Sequence, residues 1–328
     1  MRILLRTTER MKFKTVMRYA LATLLVTLTL VCLLSPALLF FKQVSAYTLY
    51  VMLGFLVIGI FAFVIDEKKL MMVSFICCCA LNLHLKESSN KQMRLAAVTT
   101  KPSLRISHIS LGNAESDYDS IIDYLLGIDM DFLSFQELTP DWNAHLIDRL
   151  SPTYNHVQTL TRLDQYGMGF FSKMPFLKID TVMVDDIPNL LGTIDLYGYG
   201  NCHILNCQII PPVSQAAFQA IDLHFNAITK YLAGLNGSHV VLGDFHLPPW
   251  SSEVQKFKLS SHLKDGRRDI HPRNIDGSLS LPKIPVEHIL YSDDFECTSF
   301  SEIGNASIGR IGITGTYQLL ESYEDMVQ

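Results

Sequence analysis

Charged residues are scarce in this chain, and the shortage is concentrated at its start. Only 18% of the 328 residues are charged, whereas a water-soluble domain usually carries about 25%. Residues 19–41 and 43–65 contain no charged side chain, and each run is 23 residues long. Because a helix needs about 20 apolar residues to cross a bilayer, the two runs predict transmembrane helices. The apolar fraction of 48% excludes a disordered chain.

A third apolar segment, residues 70–85, is shorter and contains Asn82 and His84. We interpret it as a third span, and a helix lying at the membrane interface is the alternative. The basic N-terminus is expected to stay in the cytoplasm, so three spans place the rest of the chain outside it and two spans leave it inside. The predicted organisation has three parts, a membrane anchor, a polar linker and a folded domain, over residues 1–85, 86–103 and 104–328.

Cysteine pairs with metal-binding spacing are also missing. Of the seven cysteines, only Cys202, Cys207 and Cys297 follow the apolar segments, and no CxxC pair occurs among them. Cys202 and Cys207 stand five apart on a predicted strand, so they face opposite sides and are not expected to pair. Free buried thiols are the favoured interpretation, and a disulfide from Cys297 to one of the other two is the alternative.

The charges that are present are unevenly distributed. Residues 1–85 carry a net charge of +6 and residues 86–328 a net charge of −11. Proteins that bind nucleic acid usually present a basic surface, so the acidic domain disfavours a nucleic-acid partner. The lipid bilayer is the predicted partner of the anchor, and a phosphoester or a lipid headgroup is the expected ligand of the domain. No protein partner is indicated.

Hydrophobic periodicity after residue 103 predicts an α/β (α+β) domain with strands and helices intermixed. Helical spacing is found over residues 118–126, 142–150 and 215–235. Alternating or continuous apolar runs predict strands over residues 104–109, 131–135, 167–172, 193–197, 202–210, 239–242, 287–291, 297–300 and 314–319.

Two of these strands end in a carboxylate. Glu137 follows the strand FLSFQ, and Asp244 follows the strand HVVLG. Carboxylates that project from neighbouring strand ends can hold a divalent cation, because hard oxygen ligands suit Mg²⁺. A cap or a solvated turn is the alternative interpretation of each residue.

The order of several short motifs is more specific than either carboxylate. FLSFQEL is followed by YGMGFFSK, CQIIPPVS, HVVLGDFHLPPWS and PVEHILYS. This series resembles the endonuclease/exonuclease/phosphatase (DNase I-like) superfamily, and more narrowly its membrane-anchored bacterial subgroup. The resemblance covers residues 104–319. It implies a four-layered α/β/β/α sandwich preceded by N-terminal transmembrane helices, and an integral protein of a bacterial inner membrane.

The resemblance also implies roles for individual residues. Glu137 stands at the metal-ligand position, and Ser110 stands where the family has a metal-holding Asn. Asp244 stands at the position that orients or activates the nucleophile. The implied cofactor is Mg²⁺ or Mn²⁺ if the site is active, and none if it is not.

The chain departs from the family at the other polar positions. Gln208 replaces a His, His246 replaces the Asn of a GDFN motif, and Glu287 replaces an Asp and is followed by His288. The terminal Asp-His pair is missing, because Arg310-Ile311-Gly312 stands there. Gln208 cannot carry a proton at neutral pH.

These departures predict a catalytically degenerate domain that acts as a binding or interaction module. The alternative is a divalent-metal-dependent phosphoesterase with a rearranged site, in which His246 or His288 replaces the missing His. Arg310 is interpreted as a surface charge rather than a phosphate ligand. The basic residues of the segment before the last strands are interpreted as a solvated loop, and they are Lys264, Arg267, Arg268 and Arg273.

The number of spans can be tested with reporter fusions. A fusion after Asp66 is expected to give a cytoplasmic signal, and a fusion after Asn90 an extracytoplasmic signal, because a third span separates the two positions. A cytoplasmic signal from the fusion after Asn90 contradicts the three-span interpretation.

Overall fold

The chain forms two compact units in the computed structural model, which describes residues 2–90, 95–113, 118–268 and 282–320. The first unit comprises Met1–Ser88 and Trp250–Ser252, and the second comprises Ser89–Pro249 and Glu253–Gln328. Helices make up the described part of Met1–Ser88, and the strands all belong to the second unit.

Four helices are found in the described residues of the N-terminal part. They are α1 (Arg2–Leu34), α2 (Leu39–Ala46), α3 (Thr48–Val64) and α4 (Lys68–Ser88). Two helical segments, Thr15–Leu34 and Lys68–Ser88, are long and apolar enough to cross a membrane, and the number rises to three if the bent pair α2 and α3 counts as one span. The shorter third segment that the sequence indicated therefore lies within a helix of sufficient length.

The first two apolar runs are not continuous helices. A kink is expected at Pro36 of the first run, whereas the division of the second run was not predicted from the sequence. The first helix ends at Leu34, Ser35 has a positive φ of 41°, and Pro36 follows. A proline disfavours helical backbone at the residue before it, which explains the break inside the run 19–41. The second run is divided at Tyr47, where α2 and α3 meet at an angle of 65°.

In the residues that the structure describes, the part of the chain after Ser88 contains twelve strands and four further helices. The strands are β1 (Ser103–Ser110), β2 (Phe132–Gln136), β3 (His156–Leu160), β4 (Met168–Ser172), β5 (Phe176–Val184), β6 (Ile187–Asp195), β7 (Asn201–Asn206), β8 (Ser238–Asp244), β9 (Leu263–Asp265), β10 (Glu287–Ser292), β11 (Phe295–Asn305) and β12 (Gly309–Leu319). The helices are α5 (Tyr118–Gly127), α6 (Pro140–Leu150), α7 (Gln215–Leu232) and α8 (Ser252–Ser260). One sheet has the order β11-β12-β1-β2-β4-β3 and the other the order β5-β6-β7-β8-β10-β9.

The two sheets pack face to face, and this confirms the predicted sandwich. Ile106 and Phe132 of the first sheet share a fully buried core with Ile204, Val240 and Leu242 of the second. Burial of this apolar surface is the main favourable contribution to folding. Side chains alternate along each strand, so every second residue of these strands contributes to the layer between the sheets.

Helices cover the outer face of each sheet. Ile109 of β1 and Leu133 of β2 pack in a second buried cluster that includes residues of α5 and α6. On the other sheet, Phe225 of α7 stacks on Phe257 of α8 with ring centroids 4.4 Å apart and contacts Phe245 at 5.3 Å. The layer order is therefore helix, sheet, sheet, helix, as in an α/β/β/α sandwich.

A buried glutamine links the two sheets at one end of the sandwich. Gln136, the last residue of β2, is 1% exposed. Its Nε2 donates to Asn206 Oδ1 (2.7 Å) and to the carbonyl oxygen of Cys207 (3.0 Å). Its Oε1 accepts the backbone N–H of Asp244 (2.8 Å). One side-chain amide thus joins the end of β2 to the ends of β7 and β8.

Asn206 completes this link from the opposite side. It is fully buried, and its Nδ2 donates to Ser134 Oγ (2.9 Å) and to the carbonyl oxygen of Phe135 (2.8 Å). A buried amide with hydrogen bonds to both of its atoms avoids the cost of an unsatisfied polar group. We call Gln136 and Asn206 with their partners the inter-sheet amide network.

The segment predicted as a polar linker makes specific contacts with the second unit where it is described. The backbone N–H groups of Asn90 and Ala96 donate to the carbonyl oxygens of Arg267 (2.9 Å) and Cys297 (3.1 Å). The N–H of Thr99 donates to Gln318 Oε1 (2.8 Å). Hydrogen bonds therefore begin well before the first strand, and these residues are part of the folded unit.

The sequence prediction missed three strands, and all three lie at sheet edges. β3 ends the first sheet, and β5 and β9 are the two edges of the second. Edge strands bury fewer side chains, so their apolar pattern is weak. The cysteines are as the favoured interpretation expected, since Cys202, Cys207 and Cys297 are buried and free.

Removal of the Asn206 amide is expected to loosen the second unit. Asn206→Ala leaves Ser134, the Phe135 carbonyl and the Gln136 amide without their partner, so the free energy of unfolding should fall by about 2–4 kcal/mol. Urea unfolding of the detergent-solubilised chain, followed by near-ultraviolet circular dichroism, measures it. Asn201→Ala, at the exposed start of the same strand, should change it by less than about 0.5 kcal/mol, and equal losses in both variants would contradict the role of the network.

Candidate functional site at the strand ends

The predicted acidic residues meet at the end of the sandwich that the inter-sheet amide network holds together. Ser110 pairs in register with Gln136 at the carboxyl ends of the parallel strands β1 and β2, and Glu137 follows directly. Across the sandwich, Asp244 of β8 is the register partner of Glu287 of β10. The ends of four strands therefore supply one group of polar side chains.

Glu137 is fixed by its backbone and by two neighbours. Its φ is +59°, an uncommon conformation for a residue other than glycine. Ser110 Oγ donates to Glu137 Oε1 at 3.0 Å. A Cβ at Gly112 would lie 2.0 Å from Glu137 Oε2, so only glycine allows the carboxylate to pack against this backbone. The two residues predicted as metal ligands are thus in direct contact with each other.

Asp244 and His246 form a second pair. The backbone N–H of His246 donates to Asp244 Oδ1 (2.8 Å), and its Nδ1 lies 3.4 Å from the same oxygen. His246 has a φ of +51°, which turns the chain back toward the carboxylate. Burial raises the pKa of Asp244, and the negative charges of Glu287 and Glu137 raise it further, whereas His246 opposes the shift.

Gln208 is buried immediately after β7. It is 2% exposed, and within the described part of the chain its Oε1 has no hydrogen-bond partner. Its backbone N–H donates to Asn189 Oδ1 at 3.1 Å, and the same oxygen lies 3.1 Å from His224 Nε2. Asn189 therefore fixes the backbone at the position where the family resemblance implies a His.

His288 does not reach the group, although the sequence suggested it as a replacement for the missing His. It follows Glu287 on β10, so its side chain lies on the opposite face of the strand. Its ring stacks on Phe245 with centroids 4.7 Å apart, and its Nε2 donates to the carbonyl oxygen of Leu247 (2.8 Å). Burial lowers the pKa of His288 to about 3, with a further contribution from Arg267. It is a neutral core residue.

Arg310 is an ion-pair partner rather than a surface charge, and the sequence interpretation was wrong here. Its Nη2 lies 2.5 Å from Glu287 Oε2, and its Nε lies 2.6 Å from Glu302 Oε1. Glu287 is 1% exposed, and a buried carboxylate needs such a partner because desolvation of an isolated charge is very costly. Burial also raises the pKa of Glu302.

Arg267 is buried, although the sequence predicted that it lies in a solvated loop. It is 5% exposed, and its Nη2 donates to the backbone carbonyl of Glu287 at 2.8 Å. Its guanidinium lies 5.3 Å from the ring centroid of Phe300. Lys264, in contrast, is partly exposed and pairs with Asp293 at 3.0 Å. Arg273 lies outside the described residues.

The residues present do not fit a tightly held divalent cation. Glu137 Oε1 already accepts the Ser110 hydroxyl, Asp244 Oδ1 accepts an N–H, and Glu287 is paired with Arg310. Across the described ranges, no three His, Cys, Asp or Glu side chains come together in a way that could hold a metal ion. A magnesium ion prefers near-octahedral oxygen ligation through one or two carboxylates and waters, and one oxygen of each carboxylate here already has another partner.

Sequence reasoning missed four residues that position the site: Gln136, Asn189, Asn206 and Glu302. Gln136 was noted only as part of a strand-end motif. A polar residue that ends an otherwise apolar strand is the signal for Gln136 and Asn206. No signal in the sequence pairs Glu302 with Arg310, since the pairing depends on the β11–β12 hairpin register.

The raised pKa of Asp244 has a consequence for stability. A carboxyl group with a higher pKa in the folded chain binds extra protons there between its unfolded and folded pKa values, so stability falls as pH rises through that window. Asp244→Asn removes this loss and keeps an acceptor for the His246 N–H. The variant should therefore unfold at a higher temperature than the wild type at pH 7, and the difference should shrink toward pH 4. A lower unfolding temperature at pH 7 contradicts the assignment.

A family model and several solved structures are similar to this chain. The model of the Endonuclease/Exonuclease/phosphatase family matches residues 109–307. An endonuclease/exonuclease/phosphatase from Beutenbergia cavernae is 15% identical with a TM-score of 0.55 over 67% of this chain and 72% of that one. D. rerio TDP2 in complex with a single-strand DNA product is 14% identical with a TM-score of 0.54, over 66% and 99%.

A mannosyl-6-phosphatase from Bacteroides thetaiotaomicron is 13% identical with a TM-score of 0.50, over 66% of this chain and all of that one. No curated protein matches the chain in sequence. Identities this low speak for the fold alone, whereas the family model matches more than half of the chain. The chain therefore belongs to the endonuclease/exonuclease/phosphatase family.

Proposed function

We propose that this protein is a membrane-anchored member of the family that binds a phosphoester ligand without hydrolysing it. The observation that carries the proposal is the ion pair of Arg310 with Glu287 and Glu302. Arg310 neutralises the carboxylate of Glu287 on β10. Arg310 belongs to the segment where the resemblance implies an Asp-His pair.

The terminal strand has no space for a catalytic side chain at that position. A Cβ at Gly312 would lie 2.0 Å from the carbonyl oxygen of His108, so β12 and β1 approach too closely there for any other residue. Ile311 is 1% exposed in the core under the helices. Neither residue offers a side-chain hydrogen-bond donor to a phosphate, and loss of one such donor commonly costs about 10²-fold in rate.

Two of the predicted catalytic residues, Gln208 and His288, are also unsuited to proton transfer. Gln208 is an amide that neither gains nor loses a proton near neutral pH, and His288 is neutral on the far face of β10. Phosphoester hydrolysis needs a group that activates water or protonates the leaving oxygen. Among the described residues at these strand ends, the imidazole that remains is that of His246, beside Asp244.

The anchor and the charge indicate the ligand class. The domain carries −11 over residues 86–328, which disfavours a polyanion such as DNA. The tether keeps the domain near lipid, so a phosphorylated lipid headgroup or another small phosphoester on the extracytoplasmic side of a bacterial inner membrane is the proposed ligand.

A metal-dependent phosphoesterase is the second candidate. The family is generally dependent on a divalent metal, and the Asp244–His246 pair has the arrangement of a base held by a carboxylate, with Nδ1 3.4 Å from Oδ1. His246 Nε2 has no partner among the described residues. Under this alternative, His246 is the general base and Glu137 binds Mg²⁺ or Mn²⁺.

A hydrolysis assay separates the two candidates. The detergent-solubilised full chain, with Mg²⁺ or Mn²⁺ and bis(p-nitrophenyl) phosphate or p-nitrophenyl phosphate, is expected to release no more p-nitrophenol than the Asp244→Ala variant, because Gln208 and Arg310-Ile311-Gly312 stand where the resemblance implies catalytic histidines. Release well above that variant, and lost in His246→Ala, would overturn the proposal in favour of the phosphoesterase.

A further inference from the structure

A cavity opens beside the Arg310 ion pairs. Its volume is about 630 Å³, and it lies between the segment that leads into β10 and the turn that joins β11 to β12. Its charged lining residues are Lys283, Glu287, Glu302 and Arg310. A cavity of this size can enclose a small organic ligand.

Arg310 keeps hydrogen-bonding capacity on the side of this cavity. Its Nε and Nη2 are bound to Glu302 and Glu287, and within the described residues Nη1 has no partner. A guanidinium has five N–H groups in a planar fork, so two carboxylates leave part of the fork for a ligand. The side chain is 21% exposed and lines the cavity.

Lys283 adds a second cation to the lining. It is exposed and lines the same cavity as Arg310. Across the cavity, Glu287 is already paired, and its backbone carbonyl accepts a hydrogen bond from the buried Arg267. Glu302 is likewise paired, since its Oε1 lies 2.6 Å from Arg310 Nε. Arg310 and Lys283 are therefore the two cations of the lining that a phosphate in this cavity would meet.

We propose that Arg310 and Lys283 bind the phosphate group of a phosphoester directly, with the guanidinium in the charge-neutralising role and with no divalent cation. The inference rests on the proposed function for the class of ligand. Arginine is suited to this role because its planar fork matches two phosphate oxygens. Arg310 then has two effects. It pairs with a carboxylate that would otherwise be available to a metal ion, and it supplies the positive charge for the phosphate itself.

The test is a titration of the detergent-solubilised full chain with inorganic phosphate in EDTA, followed by ³¹P NMR or calorimetry. Saturable binding is expected in EDTA, and addition of excess Mg²⁺ or Mn²⁺ should leave the affinity unchanged. Lys283→Gln should weaken binding about five-fold, because it removes one charge-assisted hydrogen bond. Lys283 is exposed, so this variant should fold as the wild type does.

Glu302→Gln gives a prediction of opposite sign. It removes the carboxylate that occupies Arg310 Nε and should tighten phosphate binding about three-fold. Glu296→Gln is the matched control, since Glu296 lies on the same strand β11 but does not line the cavity. It makes the same charge change and should leave the affinity as it is.

Three outcomes overturn the inference: no saturable binding in EDTA, binding only with Mg²⁺ or Mn²⁺, or equal responses of Glu302→Gln and Glu296→Gln. Turnover of a phosphoester in the hydrolysis assay would instead overturn the proposed function. The two failures are distinguishable, because phosphate binding is measured here without any reaction.

Discussion

Gln136 forms the connection on which the arrangement of the site depends. Its single amide bonds Asn206 and Cys207 on one strand end and the backbone of Asp244 on another. Because these groups are fully buried, each lost hydrogen bond leaves a polar atom with neither a protein partner nor water. The network therefore holds Glu137 and Asp244 at a common edge whether or not chemistry takes place there.

Carboxylates that are held at one edge repel one another, and other side chains of the protein offset this repulsion. Asp244, Glu287 and Glu137 interact unfavourably, and the pKa of Asp244 is raised by burial and by these neighbours. Arg310 offsets the charge of Glu287, and the Ser110 hydroxyl binds Glu137. A family that generally relies on a metal ion thus includes a chain in which a guanidinium stands among the acidic groups.

The sequence predicted the central strands, most of the helices and both strand-end carboxylates, because buried strands such as β2 and β8 have a strong apolar pattern. It missed β3, β5 and β9, where an edge position leaves that pattern weak. His288 was misplaced, although alternation from Glu287 puts it on the opposite face. The pairing of Arg310 with Glu287 could not be predicted, because it joins residues 23 apart through the geometry of two different sheets.

The central claim is that the site binds a phosphoester and leaves it intact. The most direct test mixes the full chain in detergent with an equimolar small phosphoester and follows the ³¹P resonance over hours, with and without Mg²⁺. We expect a shifted resonance of the intact ester and no product resonance beyond that of Asp244→Ala. The appearance of product in the wild type alone would contradict it.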